Sequence, residues 1–191
     1  MEFEPFPKIP RLRRDCVVTE KIDGTNACVG ITPEGAIFAG SRSRWVTPGK
    51  TSDNHGFAAW VEDNKDELLK LGPGRHYGEW WGQGIQRRYG LTEKRFSLFN
   101  RGRWADERPA CCDVVPMLFA GEFSSSVVDD CVRRLRNGGS LAAPGFENPE
   151  GVVVFMVSSG HLYKVLCEGD ALPKTAETAS GVHGRRFGNS G

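Results

Sequence analysis

Glu20-Lys21-Ile22-Asp23-Gly24-Thr25-Asn26 is the stretch on which the reading of this chain turns. The residues leading into it, 16–22, are β-branched and apolar in alternation, so they read as a strand, and Asp23-Gly24 reads as the turn that ends it. A lysine is thereby set at a strand end, just before a glycine that lets backbone come close to a ligand. That placement suits a nucleophile. A lysine amine attacks only when deprotonated, and crowding by other cations makes its neutral form available. Taken alone, a Lys-x-Asp-Gly string is more often a structural turn.

Working outward, residues 27–31 and 36–39 read as short β runs around the turn signal Thr32-Pro33-Glu34-Gly35. Ser52, Asp53 or Asn54 can cap a helix whose apolar positions Phe57, Trp60, Val61, Leu68 and Leu69 follow helical spacing and stop near Leu71, before Gly72-Pro73-Gly74. Residues 76–81, 96–99 and 113–119 look like further strands. A second helix starts at 124–126, runs through Val127, Val128, Cys131, Val132 and Leu135, and stops at Asn137-Gly138-Gly139. Residues 152–157 and 161–167 flank Ser158-Ser159-Gly160 as a hairpin. After about Gly169 periodicity is lost, which predicts one folded domain over 1–169 and a flexible tail over 170–191.

Composition narrows the function classes. A chain of 191 residues with 39% hydrophobic and 26% charged content is ordinary for a soluble single domain. No apolar run approaches the ~20 residues that cross a bilayer, and the Glu2-Phe3-Glu4-Pro5 start lacks the basic and apolar regions of a secretory signal, so a cytoplasmic protein with no membrane partner is expected. The six cysteines show no zinc or CxxC spacing and read as reduced. A formal net charge of +1 hides clustering: Arg11/Arg13/Arg14, Arg42/Arg44/Lys50, Arg87/Arg88/Lys94/Arg95/Arg101/Arg103 and Arg133/Arg134/Arg136 are basic, whereas acids gather at 62–67 and at Asp129/Asp130. Each cluster alone reads as a solvated face; together they suit a polyanion.

Five further segments follow the lysine string in a telling order. They are Ser41-Arg42-Ser43-Arg44, Tyr77-Gly78-Glu79-Trp80-Trp81-Gly82-Gln83-Gly84-Ile85-Gln86, Phe96-Ser97-Leu98-Phe99, Pro149-Glu150-Gly151-Val152-Val153-Val154 and Tyr163-Lys164-Val165. In that order, and with residues 19–26 as motif I, the chain resembles ATP-dependent RNA ligases of the phage RNA ligase 2 and kinetoplastid editing-ligase type, over about residues 16–168. The resemblance implies an α+β nucleotidyltransferase fold, an ATP-grasp-like adenylation domain with antiparallel sheets flanking an ATP cleft.

The resemblance also implies roles. Lys21 would attack the α-phosphate of ATP and carry AMP; AMP would pass to an RNA 5′-phosphate, and a 3′-hydroxyl would then displace it. Glu20, mainly through backbone, would help read adenine, and Phe99 would stack on it. Arg42, ahead of Arg44, would contact ribose or the incoming 5′-phosphate. Asn26 would orient phosphates or the 3′-hydroxyl end, Glu79 would bind the ribose hydroxyl, and Lys164 would neutralise the α-phosphate. Glu150 would act through Mg²⁺ or Mn²⁺ and its water shell. RNA ends held at a nick, or bridged by an RNA-holding partner protein, are the implied substrates.

Two positions depart from the family pattern. Phe155 and Leu166 stand where many relatives carry basic residues. A DNA ligase or a capping guanylyltransferase is the rival enzyme, disfavoured because those relatives prefer arginine where Thr25-Asn26 stands and carry an OB-type domain that this sequence lacks. A nucleotide- or RNA-binding module that no longer ligates is the rival outside enzymes.

Overall fold

The computed structural model describes residues 2–9 and 13–169; the expected tail at 170–191, with Lys174, Arg185 and Arg186, lies outside the described residues. Strand β1 (Asp15–Lys21) buries Cys16, Val18 and Glu20 on one face and turns Val17, Thr19 and Lys21 to the other, the alternation a pleated strand imposes. It runs through residues 22–24 into β2 (Thr25–Ile31). These two consecutive strands do not pair. β1 joins a four-stranded sheet and β2 a six-stranded one.

The larger sheet is built from β3 (Ile37–Gly40), β4 (Trp45–Val46), β5 (Gly74–Gly82), β6 (Lys94–Leu98) and β7 (Cys112–Val114) around β2, in the order β4-β3-β2-β5-β6-β7. Helix α1 (Phe57–Asp63), α2 (Lys65–Leu68) and a 3-10 turn (Leu69–Leu71) lie between β4 and β5, and α3 (Arg101–Trp104) lies between β6 and β7. The smaller sheet has the order β10-β9-β1-β8, from β8 (Met117–Glu122), β9 (Gly151–Met156) and β10 (Leu162–Leu166), with α4 (Ser125–Gly138) between β8 and β9. All pairings are antiparallel except β6 with β7. The α+β class expected from the sequence is the class observed.

Two expectations change. The single strand read over 113–119 is two strands in different sheets, parted at Val115-Pro116. Proline has no N–H to continue a ladder, and the Pro116 carbonyl instead accepts from the Glu20 N–H at 2.9 Å. The chain thus crosses between the sheets at 22–24 and again at 115–116. The first predicted helix is broken into three short pieces, and its N-cap position is Gly56 at φ 84°. Asp53 does the capping from further back: its carboxylate accepts from the Ala58 and Ala59 N–H groups at 2.7 and 3.2 Å. Ser124 caps α4 as read, accepting from the Val127 N–H at 3.2 Å.

Three cores follow. Phe57, Val61, Trp80, Phe96 and Leu98 join α1 to the six-stranded sheet, and Val18, Val128, Val132, Leu135 and Val154 join α4 to the four-stranded one. Ile22, Trp81, Tyr89, Val115 and Ala143 form the third, and it includes a residue from each crossing. Helices α1 and α4 each cover one face of a sheet, and both crossings run through the third core, the seam between the sheets. All six cysteines are free thiols. Among the described residues no helix is long and apolar enough to cross a membrane.

Candidate active site

Lys21 ends β1 at the seam, on the uncovered face of its sheet. Pairing with β9 sets it opposite Gly151, and the preceding Glu150 brings Oε2 to 2.5 Å from Lys21 Nζ. The two side chains are only 24% and 17% exposed, which strengthens a charge-assisted contact relative to one on an open surface. Gly151 adopts φ 156°, and a Cβ there would stand 2.8 Å from the Leu166 Cα, so β9 can pass this close to β10 only as glycine.

From the larger sheet comes Glu79. On β5 it pairs with Asn26 of β2 and Ser97 of β6, and its Oε1 accepts from the Gly24 N–H at 3.0 Å. Burial pushes its carboxyl up to about 7; Lys21 and the Gly24 N–H pull down, while Glu150 and Asp23 add to the rise. Glu79 is therefore poised between acid and carboxylate at neutral pH. Gly24 is glycine for want of space, since a Cβ would meet the Trp80 carbonyl at 2.5 Å and Trp81 Cβ at 2.7 Å.

A latch holds these parts together. Arg87 donates from Nε to Asp23 Oδ2 at 3.0 Å, and from Nη1 to the Asn148 carbonyl and Oδ1 at 3.0 and 2.7 Å. The Asp23 N–H donates to the Tyr89 hydroxyl at 2.7 Å. One loop thus grips both the turn after Lys21 and the approach to Glu150. Gln86, Arg88 and Tyr89 in that loop take φ of 43°, 59° and 51°, a left-handed backbone that non-glycine residues occupy at a cost. Asn148 did not stand out in the sequence, Asp23 read only as a turn residue, and Arg87 read as one of a basic cluster. The signal available was the loop's position straight after the Glu79 segment.

The remaining candidates divide. Phe99 follows β6, donates its N–H to the Tyr77 carbonyl at 2.9 Å, and is 40% exposed. Strand alternation sets it on the same face as Glu79 and Asn26. Asn54 ties Asn26 and Thr25, donating to the Asn26 carbonyl at 3.3 Å and accepting from the Thr25 hydroxyl at 3.2 Å. Lys164 on β10 pairs with Val153, which also faces Thr19, so it shares the Lys21 face two strands away; Leu166 lies in the row of Lys21 and Gly151. Arg42 lies beyond β3, in an exposed bend before β4. Glu20 faces the other way. Its buried carboxylate accepts from the Ser140 hydroxyl and from the Leu141 and Ala142 N–H groups at 2.5, 2.8 and 2.9 Å, which anchors the loop after α4. Among the described residues no group of three or more His, Cys, Asp or Glu is assembled to hold a metal ion.

No curated protein matches the chain. Solved structures of Naegleria gruberi RNA ligase are similar: a variant with ATP and Mn is 19% identical with a TM-score of 0.59, covering 80% of this chain and 50% of that one. A second variant with ATP and Mn gives 19% and 0.60, covering 81% and 50%, and the ligase with PPi gives 19% and 0.59, covering 80% and 49%. This chain spans about half the length of those ligases, and the likeness is one of fold. A family model described as RNA ligase matches residues 14–166, and on that match the chain belongs to the RNA ligase family.

Proposed function

We propose that this chain is an ATP-dependent RNA ligase whose residues 1–169 act as the adenylation domain, joining 5′-phosphate and 3′-hydroxyl RNA ends through a lysyl-AMP adduct on Lys21. The observation that carries the reading is Lys21 at the seam, 2.5 Å from Glu150, with Glu79 tied to the turn that follows it. Lys21 Nζ forms a bond to the α-phosphorus of ATP as the bond to pyrophosphate breaks. The proton that Nζ must shed has Glu150 Oε2 within reach. AMP then passes to the RNA 5′-phosphate, and the 3′-hydroxyl displaces it.

Phosphoryl transfer is mostly positioning and charge neutralisation. Lys164, on the Lys21 face, suits the α-phosphate. Glu79 and Asn26 suit the ribose and the phosphates, and Phe99 suits the base. Glu20 contributes by fixing β1 and the 140–143 loop, with its backbone available to read adenine only near the Pro116 contact. Arg42 suits an RNA phosphate. Solved relatives carry ATP and Mn. The donor set here fits such an ion only as one shared with substrate: Glu150 is a hard oxygen donor, and phosphate and water would supply the rest. A bound Mg²⁺ or Mn²⁺ would neutralise phosphate charge. Six free thiols suit a reducing compartment such as the cytoplasm.

The test is incubation with labelled ATP, GTP or NAD. ATP alone should give a covalent adduct on wild type that resists alkali and is lost in acid, as a lysyl phosphoramidate is, and Lys21→Arg should give none, because arginine does not deprotonate in proteins. An adduct on Lys21→Arg would misassign the nucleophile; no label on wild type would favour a binding module.

A further inference from the structure

The uncovered face of the six-stranded sheet extends well past the nucleotide residues. Register carries a row of side chains across it: Phe99 beside Tyr77, Tyr77 opposite Cys28, Cys28 opposite Gly40, and Gly40 opposite Trp45. Glu79 and Asn26 form the next row toward the seam. Trp45 lies flat against the sheet over two glycines: a Cβ on Gly30 would meet its Cη2 at 2.5 Å, and one on Gly40 its Cε3 at 3.1 Å. The residue is 51% exposed, beside an exposed Tyr77, with the Phe38 ring centre 5.7 Å from its own.

Around this indole is a hollow of about 260 Å³ lined by Arg42, Arg44, Arg75, Trp45 and Tyr77 among others, with no acidic residue in its wall. The Arg75 guanidinium stands 5.9 Å from the Trp45 ring centre. Among the described residues, none of the three arginines pairs with a carboxylate. Several members of the sequence cluster at 87–103, by contrast, are engaged by other groups of the chain: Arg87 by Asp23, Lys94 by the His55 carbonyl, Arg95 by Glu93 and Arg103 by the Leu71 carbonyl. Three unpaired arginines around a flat, half-exposed aromatic match a chain that alternates anionic phosphates with planar bases. The hollow falls below the roughly 300–1,000 Å³ of pockets that enclose a whole small ligand, so it takes one unit of a longer strand.

We propose that this hollow docks an unpaired nucleotide of the RNA strand being joined, its base stacked on Trp45 and its flanking phosphates on Arg42, Arg44 and Arg75. The proposal rests on the RNA-ligase reading and extends it to the substrate: the preferred RNA has single-stranded character next to the reacting end. RNA leaves the nucleotide site along the Phe99–Tyr77–Trp45 row, away from the seam.

The test measures two things on the same proteins: AMP labelling from ATP, and binding of a fluorescent single-stranded RNA with a blunt duplex as comparison. Trp45→Ala should weaken single-strand binding by roughly 5- to 150-fold, the range for losing one stacked base. Trp45→Phe should restore much of it, which separates stacking from folding. Arg75→Gln should weaken binding and reduce the slope of log affinity against log salt by about one phosphate contact. AMP labelling should stay at wild-type rates in all three. Single-strand binding unchanged in Trp45→Ala and Arg75→Gln overturns the proposal, as does equal weakening toward the blunt duplex. Loss of AMP labelling in Arg75→Gln would assign the hollow to ATP and overturn it too. If wild type fails to label at all, it is the ligase reading itself that falls.

Discussion

Glu79 is a carboxyl group held at the edge of ionisation, and its effect on stability has a definite sign. Burial raises it to about 7, so the folded chain holds this proton more tightly than the unfolded chain does. Its contribution is then greatest below the ordinary carboxylate range, is lost as pH rises to about 7, and is flat above that. Glu79→Gln removes the titration while leaving an oxygen to accept from the Gly24 N–H. Melting temperature across pH 5 to 8 should therefore fall more steeply in wild type than in Glu79→Gln; parallel profiles would mean that the carboxyl is not buried as described. Lys21, Glu79 and Glu150 were picked out by the order of the short strings that hold them, whereas the reason for the glycines beside them was not legible: Gly24 packs against Trp80 and Trp81, and Gly151 against Leu166. The partners of Glu20 were not, since Ser140 lies 120 residues away and no periodicity reports such a contact.

At the scale of elements, the loop carrying Arg87 and Tyr89 ties the turn after β1 to the approach to β9. Arg87→Lys keeps the charge but cannot reach Asp23 and Asn148 together, because the lysine head is a point charge and the guanidinium is a fork. Adenylation in Arg87→Lys should fall about 10- to 100-fold, the scale of a roughly 1 Å misplacement of reacting groups, with cooperative melting retained. The loss should fall on the maximal rate more than on the ATP concentration needed. A wild-type single-turnover rate would reduce the latch to a surface contact. Most strands were readable from alternation and turn residues. The split of 113–119 was not, because strand propensity is continuous there and only Pro116 marks where one sheet ends and the other begins. The short β4 and α3 were missed because two and four residues are too few to show a period.

For the whole molecule, the proposed function would have adenylation and sealing draw on different ground. Lys21, Glu150 and Glu79 are partly buried at the seam, whereas the arginines available to RNA are exposed. Phosphate contacts release condensed counterions and weaken steeply with salt; partly buried contacts are screened less. Joining of a pre-adenylated bridged RNA should therefore fall faster with salt than AMP loading of Lys21, and unbridged single strands should be sealed worse than bridged ends that keep an unpaired nucleotide beside the junction. Equal slopes for the two single-turnover rates would show that one surface governs both steps.

The order of strands also sets a clock on the ribosome. The six-stranded sheet is made wholly from residues 25–114, between β1 and the rest of the smaller sheet, so it can close while β1 still lacks both neighbours. Lys21 emerges 129 residues before Glu150, roughly 6 to 26 s earlier at about 5–20 residues per second. If Lys21 is the nucleophile proposed above, it is made well before the strand that follows Glu150, and a chain stopped short of β9 should not take AMP from ATP. Ribosome-stalled chains ending at residue 145 should protect β5 amides from exchange yet take no AMP, and labelling of such a chain would show that Lys21 needs nothing from β9.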